Sequence, residues 1–499
     1  MADSTTPCNP GTRVRVAIVG SGFAGLGMAI RLKRARIDDF VILERAADLG
    51  GTWRDNSYPG CACDVESHLY SFSFALNPDW TRRFAPQPEI EAYLKRCAER
   101  FDILPHIRFG HEVLGAAWNE GAREWSVETA RGTVRASVLV LGNGPLSDPV
   151  IPDLPGLTSF EGSVFHSAAW RHDVDLTGRD VAVIGTGASA IQFVPKIQPT
   201  VRQLHLFQRT PPWVVPRHDK PIPPARRRLY RMVPPLQRIV RGAIYLRREL
   251  FLVLFRHPRW MRRGEAVAKR GLRKWIRDPV RRAQLTPSYT MGCKRVLLSD
   301  DYLPALAQPN VDVVTSPLRE VRARGVVSAD GVEHRVDVII FGTGFRPTDP
   351  PLAPCIRGRT GATLADLWQG SPKAYLGTAV AGFPNLFILL GPNTGLGHTS
   401  VVLMIEAQIE QVMLVLREME HRRASAIEPS EAAEAEFVAE VERRMRDTVW
   451  VAGRCMSWYL DRTGRNSSLW PDFTWRFRRR LKQLVRRDWV SDAQVADGA

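Results

Sequence analysis

An α/β fold containing two parallel-sheet units is predicted by three observations: two glycine-rich turns of one design, an apolar run ahead of each, and a telling residue closing the apolar run that follows each. The first turn, Gly20-Ser21-Gly22-Phe23-Ala24-Gly25, follows Val16-Ala17-Ile18-Val19 and precedes Val41-Ile42-Leu43-Glu44. The second, Gly185-Thr186-Gly187-Ala188-Ser189-Ala190, follows Val181-Ala182-Val183-Ile184 and precedes Leu204-His205-Leu206-Phe207-Gln208-Arg209. Glu44 follows Gly20 and Arg209 follows Gly185 by the same 24 residues. In such turns the first glycine permits the tight bend, the second lets backbone N–H groups approach a pyrophosphate, and the third packs helix on strand. The positive helix N-terminus then faces the phosphates. A carboxylate at Glu44 accepts hydrogen bonds from a ribose diol and reads as FAD; an arginine at Arg209 meets a 2′-phosphate and reads as NADPH. The expected fold is therefore two Rossmann-like dinucleotide-binding domains with a basic helical insert. Gly20, Gly22, Gly25 and Glu44 are assigned to FAD, and Gly185, Gly187, Ser189, Gln192, Arg209 and Thr210 to NADPH.

Taken in order, residues 1–148 form the first part of the FAD domain, closing with Ser137-Val138-Leu139-Val140-Leu141 and the turn Gly142-Asn143-Gly144. Pro145, Pro149, Pro152 and Pro155 mark a linker. Residues 149–215 begin the NADPH domain, 216–284 are the insert, and 285–335 resume the domain. The second unit closes, like the first, with an apolar run and glycine turn, Val336 to Phe345, after which the chain returns to the first domain; 336–499 is assigned to the second part of the FAD domain and a C-terminal substrate-access region. Asn385-Leu386-Phe387-Ile388-Leu389-Leu390 and Gly391-Pro392-Asn393-Thr394 carry this return, followed by helical periodicity over 404–420.

The chain has 499 residues, 44% hydrophobic and 24% charged, which is globular composition with room for two or three cores. Residues 1–12 lack an apolar signal core, and the strongly apolar stretches are too short to span a bilayer, so a cytoplasmic enzyme is expected. Seven cysteines without a C-x-x-C pair argue against a disulfide framework or a zinc ribbon, and no metal is expected. Cys61 and Cys63 read as reduced packing residues. The net charge of +17 is concentrated in 226–282, where 17 Arg and 2 Lys face Glu249, Glu265 and Asp278. Arginines there alternate with Leu246, Leu250, Phe251, Leu254, Phe255, Trp260 and Trp275, a pattern that suits amphipathic helices. Such a segment is either a solvated face or a peripheral contact with an anionic membrane. No nucleic-acid-binding motif accompanies the charge, and nucleic acid is not expected as a partner.

Between the two turns lies Phe160-Glu161-Gly162-Ser163-Val164-Phe165-His166-Ser167-Ala168-Ala169-Trp170. It resembles the fingerprint F-x-G-x-x-x-H-x-x-x-W of the FAD- and NADPH-dependent Baeyer–Villiger monooxygenases, in the group near hydroxyacetophenone monooxygenase. Arg171 stands where the family pattern ends in Pro or Asp. The resemblance extends to Gly50-Gly51-Thr52-Trp53, to Tyr58-Pro59-Gly60-Cys61-Ala62-Cys63-Asp64 and to Lys294-Arg295. It implies that Gly51, Thr52, Trp53, Asp64, Tyr70 and Asn393 surround the flavin, that Lys294 joins Arg209 on NADPH, and that Arg295 is catalytic with Asp64 orienting it. It further implies that a C4a-peroxyflavin formed from O₂ attacks a ketone to give an ester or lactone. An arginine suits that task because it stays charged and offers a planar fork of donors to an oxyanion.

Two alternatives remain open at this stage. A flavin monooxygenase acting on nitrogen or sulfur would not need Arg295, and a degenerate flavoprotein fold could serve as a membrane- or partner-binding module. A flavin disulfide reductase would need a redox cysteine pair, and no C-x-x-C is present. Trp458, Tyr459 and Trp470 are candidates for the access path. Neither the identity of the ketone nor the oligomeric state is encoded in a motif.

Overall fold

The computed structural model describes residues 11–453 and 455–492. Val16, Ala17 and Ile18 are fully buried in the strand Thr12–Val19, because a central parallel strand is covered on both faces and must be apolar throughout. That strand pairs in parallel with Phe40–Leu43 on one side and Gly132–Leu141 on the other. Ile107–Arg108 extends the sheet beyond Phe40–Leu43. On the opposite side, Glu124–Thr129 and Val113–Asn119 form an antiparallel arm, with Ile356–Arg357 at the edge. Leu386–Ile388 lies beside the end of Gly132–Leu141, so the chain does return to its first sheet late in the sequence. Helix Phe23–Arg34 covers this sheet and packs against helix Val401–Arg422.

The second sheet is wholly parallel, in the order Val311–Val314, Gln203–Phe207, Asp180–Ile184, Val338–Phe341, Ser163–His166. This corrects the boundary expected at 336. Val338–Phe341 pairs with Asp180–Ile184 and Ser163–His166, so it belongs inside the second sheet, and the first sheet is rejoined only at Ile356–Arg357.

The basic segment is helical, with Pro224–Met232, Pro234–Arg256, Pro258–Trp275 and Pro279–Gln284 in succession. Each starts with proline, which favours the first helical position because its missing N–H would be unpaired there in any case. The chain leaves toward this insert through Val214–Val215 and comes back through Leu297–Leu298, and the two strands pair with each other. Among the described residues, Cys61, Cys63, Cys97 and Cys355 are free thiols, the first three of them buried. Cys293 and Cys455 form a disulfide, a single bond rather than a framework. Cysteine spacing could not reveal a bond whose partners stand 162 residues apart.

Candidate functional site

The first turn is built by close approach. A Cβ on Gly25 would lie 1.8 Å from the Gly20 carbonyl oxygen, so only glycine lets the helix start against the strand. Gly22 and Gly51 face each other, and a side chain on either would intrude toward the other's Cα, at 3.7 and 3.1 Å. That bare cleft at the N-terminus of Phe23–Arg34 fits a pyrophosphate. Glu44 is buried and accepts from the Ser21 N–H at 2.9 Å, the Ser21 hydroxyl at 2.7 Å and the Ala46 N–H at 2.9 Å, with the Arg54 guanidinium at 3.1 Å. The carboxylate is thus fixed at the mouth of the turn, where a ribose diol would compete with the Ser21 hydroxyl. Thr52 and Trp53 open the short helix Thr52–Asp55, and the Trp53 indole donates to the Tyr70 hydroxyl at 3.0 Å. Phe23 packs edge-on against Tyr70 at 5.1 Å, so these rings line one side of the same turn.

In the second domain, Gly185 takes φ +110° between strand Asp180–Ile184 and helix Ala190–Ile197, which Ser189 precedes. The Thr186 hydroxyl donates to the Thr210 carbonyl at 3.3 Å, tying the turn to the segment after Arg209. Arg209 is exposed, while Lys294 stands over the Tyr289 ring at 5.0 Å. Burial, then the nearby Arg209 charge, lowers the Lys294 pKa. Neither cation has a carboxylate partner among the described residues. Two such cations held in electrostatic reach of each other fit a doubly charged phosphate ester.

Arg295 donates to Asp64 through Nε at 2.9 Å and Nη2 at 2.5 Å, both to Oδ2. The two side chains keep 31% and 33% exposure, so the pair faces an opening. Burial raises the Asp64 pKa, but Arg295, with Arg248 and Arg217 behind it, more than offsets this and holds the carboxyl below its usual range. Asp64 in turn raises the Arg295 pKa against the effect of burial, so the guanidinium is permanently charged. Arg248 also donates to the Asp64 carbonyl at 3.2 Å, and Arg217 to the Cys63 carbonyl at 2.7 Å. Tyr459, a candidate for the access path, is buried within electrostatic reach of Arg295. The disulfide at Cys293 joins the Lys294-Arg295 loop to the C-terminal segment carrying Tyr459, a connection no sequence signal announced.

Two of the assigned residues also tie distant segments together. Gln192 accepts through Oε1 from the Tyr58 hydroxyl at 3.1 Å and the Ala62 N–H at 3.3 Å, and its Nε2 donates to the Ala62 carbonyl at 2.9 Å. It clasps the second domain to the segment leading into Asp64. Asn393 spends its side chain on the C-terminal segment, donating to the Asn466 and Leu469 carbonyls at 2.8 and 3.1 Å and accepting from Arg465 at 3.3 Å. Each side chain thereby satisfies backbone groups of a distant segment.

The fingerprint residues form the edge of the second sheet. A Cβ on Gly162 would lie 2.2 Å from the Asp337 carbonyl oxygen and 2.5 Å from the Phe160 ring, so glycine allows this edge to close. His166 is 2% exposed, pairs in register with Phe341, and caps the next turn by accepting from the Ala168 N–H at 3.1 Å. Burial lowers its pKa to about 4. Trp170 packs on Phe165 and Phe193 at 5.2 and 5.3 Å, and Arg171 pairs with Asp173 at the surface. The structure also gathers His205, Asp312 and His334, with ligand atoms within 4.8 Å of one another, on strands whose pairing the sequence does not disclose. The His205 Nδ1 lies 3.3 Å from Asp312 Oδ2, a hydrogen-bonding distance that accounts for this pair.

Two nucleotide turns meeting beside a charged arginine–carboxylate pair agree with what known proteins share with this chain. Residues 13–358 match the flavin-binding monooxygenase-like family. A Baeyer–Villiger monooxygenase of Streptomyces coelicolor is 53% identical, over 94% of this chain and 91% of that protein. One of Pseudomonas aeruginosa is 49% identical, over 97% and 93%. The closed crystal structure of cyclohexanone monooxygenase superposes with a TM-score of 0.88 at 30% identity, covering 96% of this chain and 99% of that one. Steroid monooxygenase bound to NADP superposes with a TM-score of 0.85 at 31% identity, over 96% and 99%. On turns, sheets and sequence alike, the chain belongs to the flavin-binding monooxygenase-like family.

Proposed function

We propose that the protein is an FAD- and NADPH-dependent Baeyer–Villiger monooxygenase, inserting one oxygen atom of O₂ beside the carbonyl of a ketone with an apolar body to give an ester or lactone. The observation that carries this reading is the Asp64–Arg295 pair, open to a ligand and set beside the Gln192 clasp between the two domains. The flavin, reduced by NADPH, supplies the oxygen-activating chemistry when bound. Asp64 engages Arg295 along its Nε and Nη2 edge, which fixes the guanidinium plane so that its other N–H groups can serve an oxyanion. Arg295 and its neighbouring arginines hold the Asp64 carboxyl below its usual range, so it meets the arginine as a carboxylate and orients it. Oxygenation at amines or sulfides uses an electrophilic oxygen and has no need of such a cation, which favours a ketone. The names and bound nucleotides of the relatives support the same cofactors and reaction class. Placement in the subgroup near hydroxyacetophenone monooxygenase rests on the fingerprint and its flanking motifs.

The test is turnover of the purified flavoprotein with NADPH, isotopically labelled O₂ and a panel of cyclic, aromatic and long-chain ketones, alongside amine and sulfide controls. One labelled oxygen in an ester or lactone is the expected result. Oxygenation confined to the amines and sulfides, or release of hydrogen peroxide alone, would overturn the proposal.

A further inference from the structure

Helix Pro234–Arg256 buries Leu252 and Phe255 near its end, yet it also turns a line of large apolar side chains outward. The face turned into the protein carries Gln237, Arg241 and Glu249, which are 2%, 9% and 5% exposed. Each is used there: Gln237 donates to His68 Nδ1 and the Asn77 carbonyl, Arg241 donates to the His68 and Leu69 carbonyls and the Ser71 hydroxyl, and Glu249 accepts from the Thr474 N–H. The face turned outward carries Ile239, Leu246 and Leu250, which are 67%, 65% and 68% exposed. Spacings of seven and four residues place these three on one line along the helix. Ala243 is exposed between them, and Met232, which ends the preceding helix Pro224–Met232, is 70% exposed. A helix packed on a soluble domain ordinarily keeps its outer face polar, and this exposed apolar line departs from that pattern.

Charge identifies what covers the stripe. Arg226, Arg228, Arg238, Arg259, Arg262 and Arg263 are exposed and make no ion pair among the described residues. The excess in 226–282 is spread over successive helices rather than gathered at one spot. A second copy of the chain would bring the same positive charge against it, and a nucleic acid would leave the aliphatic line in water. An extended anionic plane with an apolar layer beneath it satisfies both parts. Among the described residues no helix is long and apolar enough to cross a membrane, so the contact is with a surface.

We propose that the insert seats the enzyme peripherally on an anionic lipid bilayer, with Ile239, Leu246 and Leu250 at the acyl boundary and the unpaired arginines on lipid phosphates. This rests on the helix and its charge, independently of the reaction assigned above. The experiment is co-sedimentation of the full-length flavoprotein with phosphatidylcholine vesicles, with and without roughly 30 mol% phosphatidylglycerol. Binding to the anionic vesicles is expected, weakening with salt and falling by about tenfold or more in the triple variant Ile239→Ser, Leu246→Ser, Leu250→Ser. All three side chains are exposed, so the variant's melting temperature should match that of the parent, and this is checked first. Absence of binding to the anionic vesicles would overturn the proposal. So would equal binding by the triple variant, which would make the contact purely electrostatic. Light scattering closes the remaining route: a parent dimer that the triple variant converts to monomer would assign the stripe to a second copy instead.

Discussion

Replacing Arg209 by alanine tests the nicotinamide assignment most directly, because the structure separates its effect on binding from any effect on folding. Arg209 is exposed and has no carboxylate partner among the described residues, so its removal leaves no buried charge unpaired. Stability should change by no more than about 0.5 kcal/mol. Binding is another matter. A hydrogen bond to a charged group contributes about 1.5–3 kcal/mol, which corresponds to roughly 10- to 150-fold in affinity. Arg209→Ala should therefore raise KM for NADPH by that factor and leave kcat/KM for NADH nearly unchanged. Lys294→Ala should behave alike, and the double variant should fall short of the product of the two, because each cation now raises the cost of the other. The assay is anaerobic flavin reduction followed by stopped-flow absorbance with each nucleotide. An equal loss for NADPH and NADH would refute the reasoning, since it would show that Arg209 does not see the one phosphate by which they differ.

Arg295→Ala should lower ester formation by roughly 10²- to 10³-fold while flavin reduction by NADPH keeps most of its rate, and Asp64→Ala should act in the same direction; normal ester formation in Arg295→Ala would remove the arginine from the chemistry. Gly25→Ala, whose Cβ would lie 1.8 Å from the Gly20 carbonyl oxygen, should yield colourless protein, and full flavin content after purification would contradict the close approach. His68 and His166 are both depressed by burial to about 4 from the usual 6.5, so the unfolded chain binds more protons between those values. Their contribution is fully present above pH 6.5 and is lost as pH falls toward 4, at up to about 3 kcal/mol or slightly more for each; thermal melts of the His68→Gln, His166→Gln variant should flatten across that window. Reducing the Cys293–Cys455 bond, which closes a span of 162 residues, should lower stability by up to about 5 kcal/mol, and thiol titration of the denatured protein should find two fewer than the seven cysteines.

What the sequence disclosed and what it withheld follow from the range of the forces involved. Both glycine turns were legible because close backbone approach leaves no room for a side chain at Gly25 and Gly185, and a local constraint leaves a local mark. The helical insert was legible from its composition. The changeover at Val336 was misplaced because a buried parallel strand reads as the same apolar run whichever sheet receives it, and only pairing distinguishes them. Gln192 and Asn393 stood where a cofactor contact is plausible, yet their partners, Ala62 and Asn466, lie far off in the chain. The helix Pro234–Arg256 shows the same limit. Its periodicity was readable, but which face turns inward depends on His68, Asn77 and Thr474, and no window of sequence contains them.

The pairing of Gly132–Leu141 with Leu386–Ile388 also sets an order of assembly. The second sheet draws all its strands from one continuous stretch, Ser163–His166 through Val338–Phe341, and can close as soon as that stretch is available. The first sheet begins earlier in the chain and finishes later. Until Leu386–Ile388 arrives, the inner end of Gly132–Leu141 is an open strand edge, and the helix that buries Phe23–Arg34 is not yet available. A chain interrupted between residues 345 and 385 would thus carry a complete nicotinamide-type sheet beside an unfinished flavin-type one. Early termination in this protein should produce aggregation rather than a soluble, flavin-bearing fragment.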